Sequence, residues 1–65
     1  MKFKEYDVVR TLQECEEGVN KGEVGTVVMT FEIPNEAYEV EFLDKDGQTK
    51  ALCTLLPEEI EIVKK

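Results

Sequence analysis

Between Ala37 and Leu43 the chain alternates without a break. Tyr38, Val40 and Phe42 fall at every second position, with Glu39 and Glu41 between them. A period of two is the pleat of a β-strand with one buried and one wetted face. The same reading carried outward predicts four more strands. Residues 5–12 hold the β-branched pair Val8-Val9 beside Tyr6 and Thr11. Alternation there puts Tyr6, Val8, Arg10 and Leu12 on one face, with Arg10 marking an end or a bulge. Val24–Phe31 is the long strand, with Val27 facing the core and Val24, Val28 and Met29 apolar enough for both faces to be covered in places. Residues 48–55 return with Ala51, Cys53 and Leu55 inward and Lys50 and Thr54 outward. Residues 60–63 close the set, with Ile60 and Ile62 inward and Glu61 outward.

The connections carry their own signals. Lys21-Gly22-Glu23-Val24-Gly25 sets two glycines three apart where the long strand begins. Gly22 supplies the positive φ of a turn. Gly25 lies inside the strand pattern and marks a bulge or a close backbone crossing, where a side chain would collide. Pro34-Asn35 is a turn pair and Asp46-Gly47 a hairpin turn. Pro57 has no N–H to give a ladder, so it stops the fourth strand and leaves a single 3₁₀ turn over residues 56–59. Residues 13–22 form a glutamate-rich loop pinned by an inward Val19, and Phe3 packs on one end of the fold. The expected architecture is all-β, one small five-stranded barrel, closed or nearly so. A flat sheet this size would leave its apolar face open and its edges adhesive. Gly22, Gly25, Val27, Tyr38, Val40, Phe42 and Gly47 are its structural positions.

Length and charge then narrow the function. A chain of 65 residues is one domain that buries only ~60% of its extended surface, enough for a core but not for a deep cleft as well. Fifteen acids against eight bases give a net charge of −7, which repels nucleic acid and favours a basic partner. The eight bases are scattered along the chain. Cys15 and Cys53 form no C-x-x-C pair, so no zinc site is expected, and a disulfide requires the fold to bring them together. Met1-Lys2-Phe3-Lys4-Glu5 is no signal peptide, and no apolar run spans a membrane. The expected compartment is the cytoplasm, with reduced thiols and no cofactor.

Candidate chemistry is sparse. The chain has no histidine, serine or tryptophan, which removes Ser-His-Asp and Cys-His arrangements. Cys15 stands among Glu14, Glu16 and Glu17 with no cation beside it, and Cys53 reads as a small core residue. Asp44-Lys45-Asp46-Gly47 echoes a calcium loop, but the glycine falls at the fourth position rather than the sixth and Leu55 stands where the twelfth-position acid belongs. An enzyme is therefore not expected.

The order Tyr6-Asp7-Val8-Val9, Gly18-Val19, Lys21-Gly22-Glu23-Val24-Gly25-Thr26-Val27-Val28 and Ala37-Tyr38-Glu39-Val40-Glu41-Phe42, continued by Asp46-Gly47, Ala51-Leu52, Thr54-Leu55 and Ile60, resembles a family of short bacterial proteins catalogued as domain of unknown function 4926. The departures are Lys50, Cys53 and Leu56, which stand where leucine, leucine and an acid are expected. The resemblance implies an SH3-like barrel and brings no established activity. Its glycine-valine core resembles the KOW element of ribosomal and transcription proteins. It is also similar to the small barrel subunit that docks ferredoxin on cyanobacterial NADH-dehydrogenase-like complexes. Family genes beside toxin-like genes imply an antitoxin role.

The expected function is thus a non-enzymatic protein-binding barrel, monomer or weak dimer, whose acidic face is built from Glu14, Glu16, Glu17, Glu39 and Glu41. The alternative is a KOW-like nucleic-acid or ribosome-associated module, and a third reading is an accessory domain inert alone. An exposed fourth-strand edge carrying Leu52 and Leu56 offers a route to pairing two copies.

Overall fold

Strands form where the alternation lies. The computed structural model describes residues 2–15 and 18–64, the last without its side chain. In chain order it holds β1 (Val8–Thr11), β2 (Val24–Phe31), β3 (Ala37–Leu43), β4 (Thr49–Leu55) and β5 (Ile60–Lys64), with a 3₁₀ turn at Pro57–Glu59 before the last strand. The strands make one antiparallel sheet in the order β4-β3-β2-β1-β5. The two edges, β4 and β5, are not hydrogen-bonded to each other. The expected barrel is therefore a curled sheet open along one seam.

The curl is tight all the same. Val9, Val27, Tyr38, Val40, Phe42, Ala51, Cys53, Leu55 and Ile60, drawn from all five strands, join one buried cluster with Phe3 and Val19. In a flat sheet, strands ~4.8 Å apart would hold β4 and β5 roughly 19 Å from each other, too far for their side chains to share a core. The 3₁₀ turn spans the seam. There the Leu12 N–H donates to the Glu59 carbonyl at 2.8 Å, and the Leu56 N–H donates to the Glu59 carboxylate at 2.9 Å. Buried Thr11 is satisfied locally, its hydroxyl donating to the Gln13 carbonyl at 2.7 Å.

Gly25 makes the close crossing that its place in the pattern implied. A Cβ there would stand 2.7 Å from the Glu41 carbonyl oxygen and 2.8 Å from Val40 Cγ1. The bulge of β2 lies further on, at the register shift between Val27 and Met29. Gly22 (φ 94°) and Gly47 (φ 84°) hold the left-handed conformations their turns need. The Asp44 carboxylate accepts the N–H groups of Asp46 and Gln48 at 2.8 and 3.1 Å, so the sequence that echoed a calcium loop builds a hairpin turn.

Four expectations need correction. β1 is shorter than residues 5–12. The Asp7 carboxylate accepts the Lys4 N–H, the Tyr6 N–H donates to the Val27 carbonyl, and the chain turns with Tyr6 at φ 73° and the residue 75% exposed. The core face of β1 is Val9 and Thr11, and Tyr6 and Leu12 are exposed. Ile62 is opposite Val9 in register yet stays partly open, because it lines a recess of about 520 Å³ with Lys2, Phe3, Lys4, Asp7 and Glu61. The outer side of β2 is uncovered as well: Val24, Met29 and Phe31 are exposed.

Tyr38 ties the N-terminal segment to this frame. Its hydroxyl accepts the N–H groups of Lys2 and Phe3, each at 3.0 Å, and donates to the Glu36 carboxylate. Its ring meets Phe3 edge-on, with centroids 5.2 Å apart. The Tyr38 hydroxyl and the Lys2 N–H hold the Glu36 carboxyl below the usual glutamate range, while burial, with help from Glu36, pushes the Tyr38 phenol up. Glu23 is lowered in the same way by hydrogen bonds from Lys50 and the Asn20 N–H. Carboxyls depressed by folding contribute stability that is present above the unfolded value of about 4.3 and lost as pH falls through the folded one. Thermal melts at pH 7 and pH 3 should show a fall in Tm with acid. The fall should be shallower in a Glu23→Gln, Glu36→Gln double variant, and identical slopes in the two proteins would refute the assignment.

Candidate functional site

The outward positions of β2, β3 and β4 line up as rungs across the curled sheet. Phe31 pairs with Ala37, and Leu56 lies beyond them, one residue past the Tyr38–Leu55 pair. The next rung is Met29, Glu39 and Thr54, and the third is Thr26, Glu41 and Leu52. Glu39 and Glu41 thus share one face, two residues or ~6.7 Å apart along β3. Alternation forces this, since Tyr38, Val40 and Phe42 on the other face are fully buried.

An apolar cup of about 360 Å³ closes one end of the face. Its walls are Phe31, Ile33, Pro34, Ala37, Thr54 and Leu56, with Asn35 as a polar member. Ile33 is 86% exposed at its lip, and Leu56 is 40% exposed. Thr54 belongs both to the cup and to the Glu39 rung, so apolar surface and carboxylate are contiguous.

Lys50, on β4 at the opposite end of this face, bridges to Glu23 at 2.8 Å, while Arg10 on β1 bridges to Glu61 on β5 at 2.9 Å, outside the face. Glu41 accepts the Thr49 hydroxyl, at 2.6 Å. Among the described residues neither Glu39 nor Glu41 is in an ion pair. The face is graded, with Lys50 neutralised at the hairpin end and, toward the open apolar surface of the cup, carboxylates that form no ion pair among the described residues.

Glu14 lies elsewhere. With Cys15 and Glu59 it lines a recess of about 440 Å³ against the β4 edge, whose other wall includes Leu52, Cys53 and Thr54. Leu52 and Thr54 are the cross-strand partners of Glu41 and Glu39, so Glu14 faces the far side of the strand that borders them. Glu16 and Glu17 lie outside the described residues. Cys15 and Cys53 share this recess without being joined in a disulfide. Among the described residues, no three or more His, Cys, Asp or Glu side chains cluster to hold a metal ion, and no helix is long and apolar enough to cross a membrane.

Phe31 and Ile33 were not legible as site residues, Phe31 reading as an aromatic of the long strand and Ile33 as a residue of a proline-bearing connection; Leu56 was expected on an exposed fourth-strand edge with Leu52. The one available signal was that Met29 and Phe31, two apart, repeat on the phase opposite Val27 once the bulge is counted.

What such a face can do is bind. Cationic side chains gain two uncompensated carboxylates there, and a neighbouring apolar side chain gains a cup.

No curated protein and no solved structure matches the chain. One family does, described as a domain of unknown function (DUF4926), and it matches over residues 5–62. With nearly the whole chain covered and the five-stranded sheet compatible with a small SH3-like barrel, this protein belongs to the DUF4926 family.

Proposed function

We propose that the protein is a non-enzymatic binding module that docks a basic protein on the outer face of β2, β3 and β4. The observation that carries this reading is the grading of that face, with Lys50 engaged by Glu23 at one end and, toward the apolar cup at the other, Glu39 and Glu41 in no ion pair among the described residues. The two carboxylates lie side by side on an open surface rather than opposed across a cleft, which suits recognition better than acid–base chemistry. A net charge of −7 adds long-range steering of the same partner. The role this suggests is a docking or neutralising subunit for a basic protein in the cytoplasm, where both thiols stay reduced.

The test is capture from a native extract with the wild type, with Glu39→Lys/Glu41→Lys, and with Glu58→Lys as a control on the exposed 3₁₀ turn. Basic proteins should be retained by the wild type and the control. The double reversal should lose them while melting within a few degrees of the wild type. Equal retention by all three would overturn the proposal. So would tighter, salt-dependent binding of RNA, which would favour a nucleic-acid module.

A further inference from the structure

Resting on that reading of the outer face, the geometry further assigns the form of the partner. We infer that it presents an amphipathic basic helix, with one large apolar side chain in the Phe31–Leu56 cup and Lys or Arg four and eight positions further along, over Glu39 and Glu41.

Three observations lead there. The first is spacing. Ala37, at the floor of the cup, Glu39 and Glu41 follow at steps of two residues along β3, which is ~6.7 Å per step. One step of four residues along a helix advances ~6 Å. A helix laid along β3 therefore keeps side chains i, i+4 and i+8 in register with the cup and both carboxylates. The accumulated mismatch, ~1.5 Å, is within reach of a lysine side chain.

The second is backbone chemistry. An extended segment lying across the face of a sheet would bring its own N–H and C=O groups against Phe31, Met29 and Leu56, which cannot pair with them. A helix satisfies those groups internally, and helices are what ordinarily cover the open face of a sheet.

The third excludes a second copy of this chain. A two-fold pairing centred on this face would set Glu39 and Glu41 against the same carboxylates, with Lys50, the base on the face, already engaged by Glu23. The described residues offer no helix beyond the three-residue 3₁₀ turn.

The experiment uses two synthetic helical peptides of identical composition. One carries Leu, Lys and Lys at i, i+4 and i+8, and in the other the Leu is moved to the opposite face. Each is titrated into the isotope-labelled full chain and followed by NMR. The in-register peptide should bind about tenfold more tightly than its isomer, the return expected for burying one leucine. Its shift changes should centre on Phe31, Ala37, Glu39, Glu41 and Leu56. Leu56→Asp should abolish the preference between the peptides, and Ile33→Asp, at a position 86% exposed and so neutral to folding, should do the same. Glu39→Gln/Glu41→Gln should weaken both peptides alike. Equal affinity for the isomers would overturn the helical register. So would shift changes centred on the Glu14–Glu59 recess at the β4 edge, which would indicate an added strand instead. Either result, obtained while capture from extract still depends on Glu39 and Glu41, would refute this inference and leave the proposed function standing. Loss of that dependence would refute the function itself.

Discussion

Gly25→Ala should remove most of the stability of this protein, shifting its urea midpoint by the equivalent of at least about 3 kcal/mol. The new methyl would sit 2.7 Å from the Glu41 carbonyl, 2.8 Å from Val40 Cγ1 and 2.9 Å from Phe42 Cδ1. Ring and methyl could shift only by disturbing a core in which Val40 and Phe42 are fully buried. The carbonyl belongs to the β2–β3 ladder, where Thr26 and Glu41 are paired, and it cannot retreat without breaking the sheet. Overpacking ordinarily costs about 1–3 kcal/mol and more where backbone is struck. The compensating loss of chain entropy in the unfolded state is only about 0.4–1 kcal/mol. A domain of this size has on the order of 5 kcal/mol in all. Thr26→Ala, one residue on and turned outward, should cost less than about 1 kcal/mol. Midpoints that matched for the two variants would show that β2 does not pass β3 as closely as described.

The second large effect belongs to Tyr38, and two substitutions separate its ring from its hydroxyl. Tyr38→Ala should cost about 3–5 kcal/mol, since it empties the largest fully buried side chain and deprives Phe3 of its edge-on partner. Tyr38→Phe should cost about 1–3 kcal/mol, because it keeps the ring but strips the acceptor from the Lys2 and Phe3 N–H groups and the donor from Glu36. That smaller loss should be local. Hydrogen exchange at the Phe3 amide should accelerate in Tyr38→Phe, while the amides of β3 keep the protection that global stability allows. A Phe3 amide that stays as protected as in the wild type would mean the N-terminal segment is held by ring packing alone.

The two predictions also mark how far the chain could be read in advance. Gly25 betrayed itself because a glycine amid β-branched residues has few other reasons to be there, and Val19 because it was the only branched apolar residue of its loop. β3 was legible to the residue, since strict alternation leaves no freedom of register. β1 was misjudged because its first residues obey a longer-range demand. The Tyr6 N–H is claimed by the Val27 carbonyl, the Asp7 carbonyl takes the Val27 N–H, and the chain must turn at Tyr6 to meet both. Ile62 followed its strand's alternation but fell at the recess beside the N-terminal segment, where it stays partly open. Of the five glutamates expected to form one surface, Glu39 and Glu41 share a face because a strand places them there. Glu14 belongs to a loop, and its position depends on where that loop packs.

Local pattern alone therefore determined β2, β3, β4, the turns and most of the inward side of the core, because backbone geometry gives each residue two faces and the hydrophobic effect chooses between them. Tertiary structure decided what lies outside. It brought Leu56 beside Phe31 to form a cup, drew Lys50 to Glu23 across 27 positions of sequence, and left Glu39 and Glu41 in no ion pair among the described residues. Those outcomes depend on which strands become neighbours and how tightly the sheet curls, and no stretch of sequence encodes either by itself.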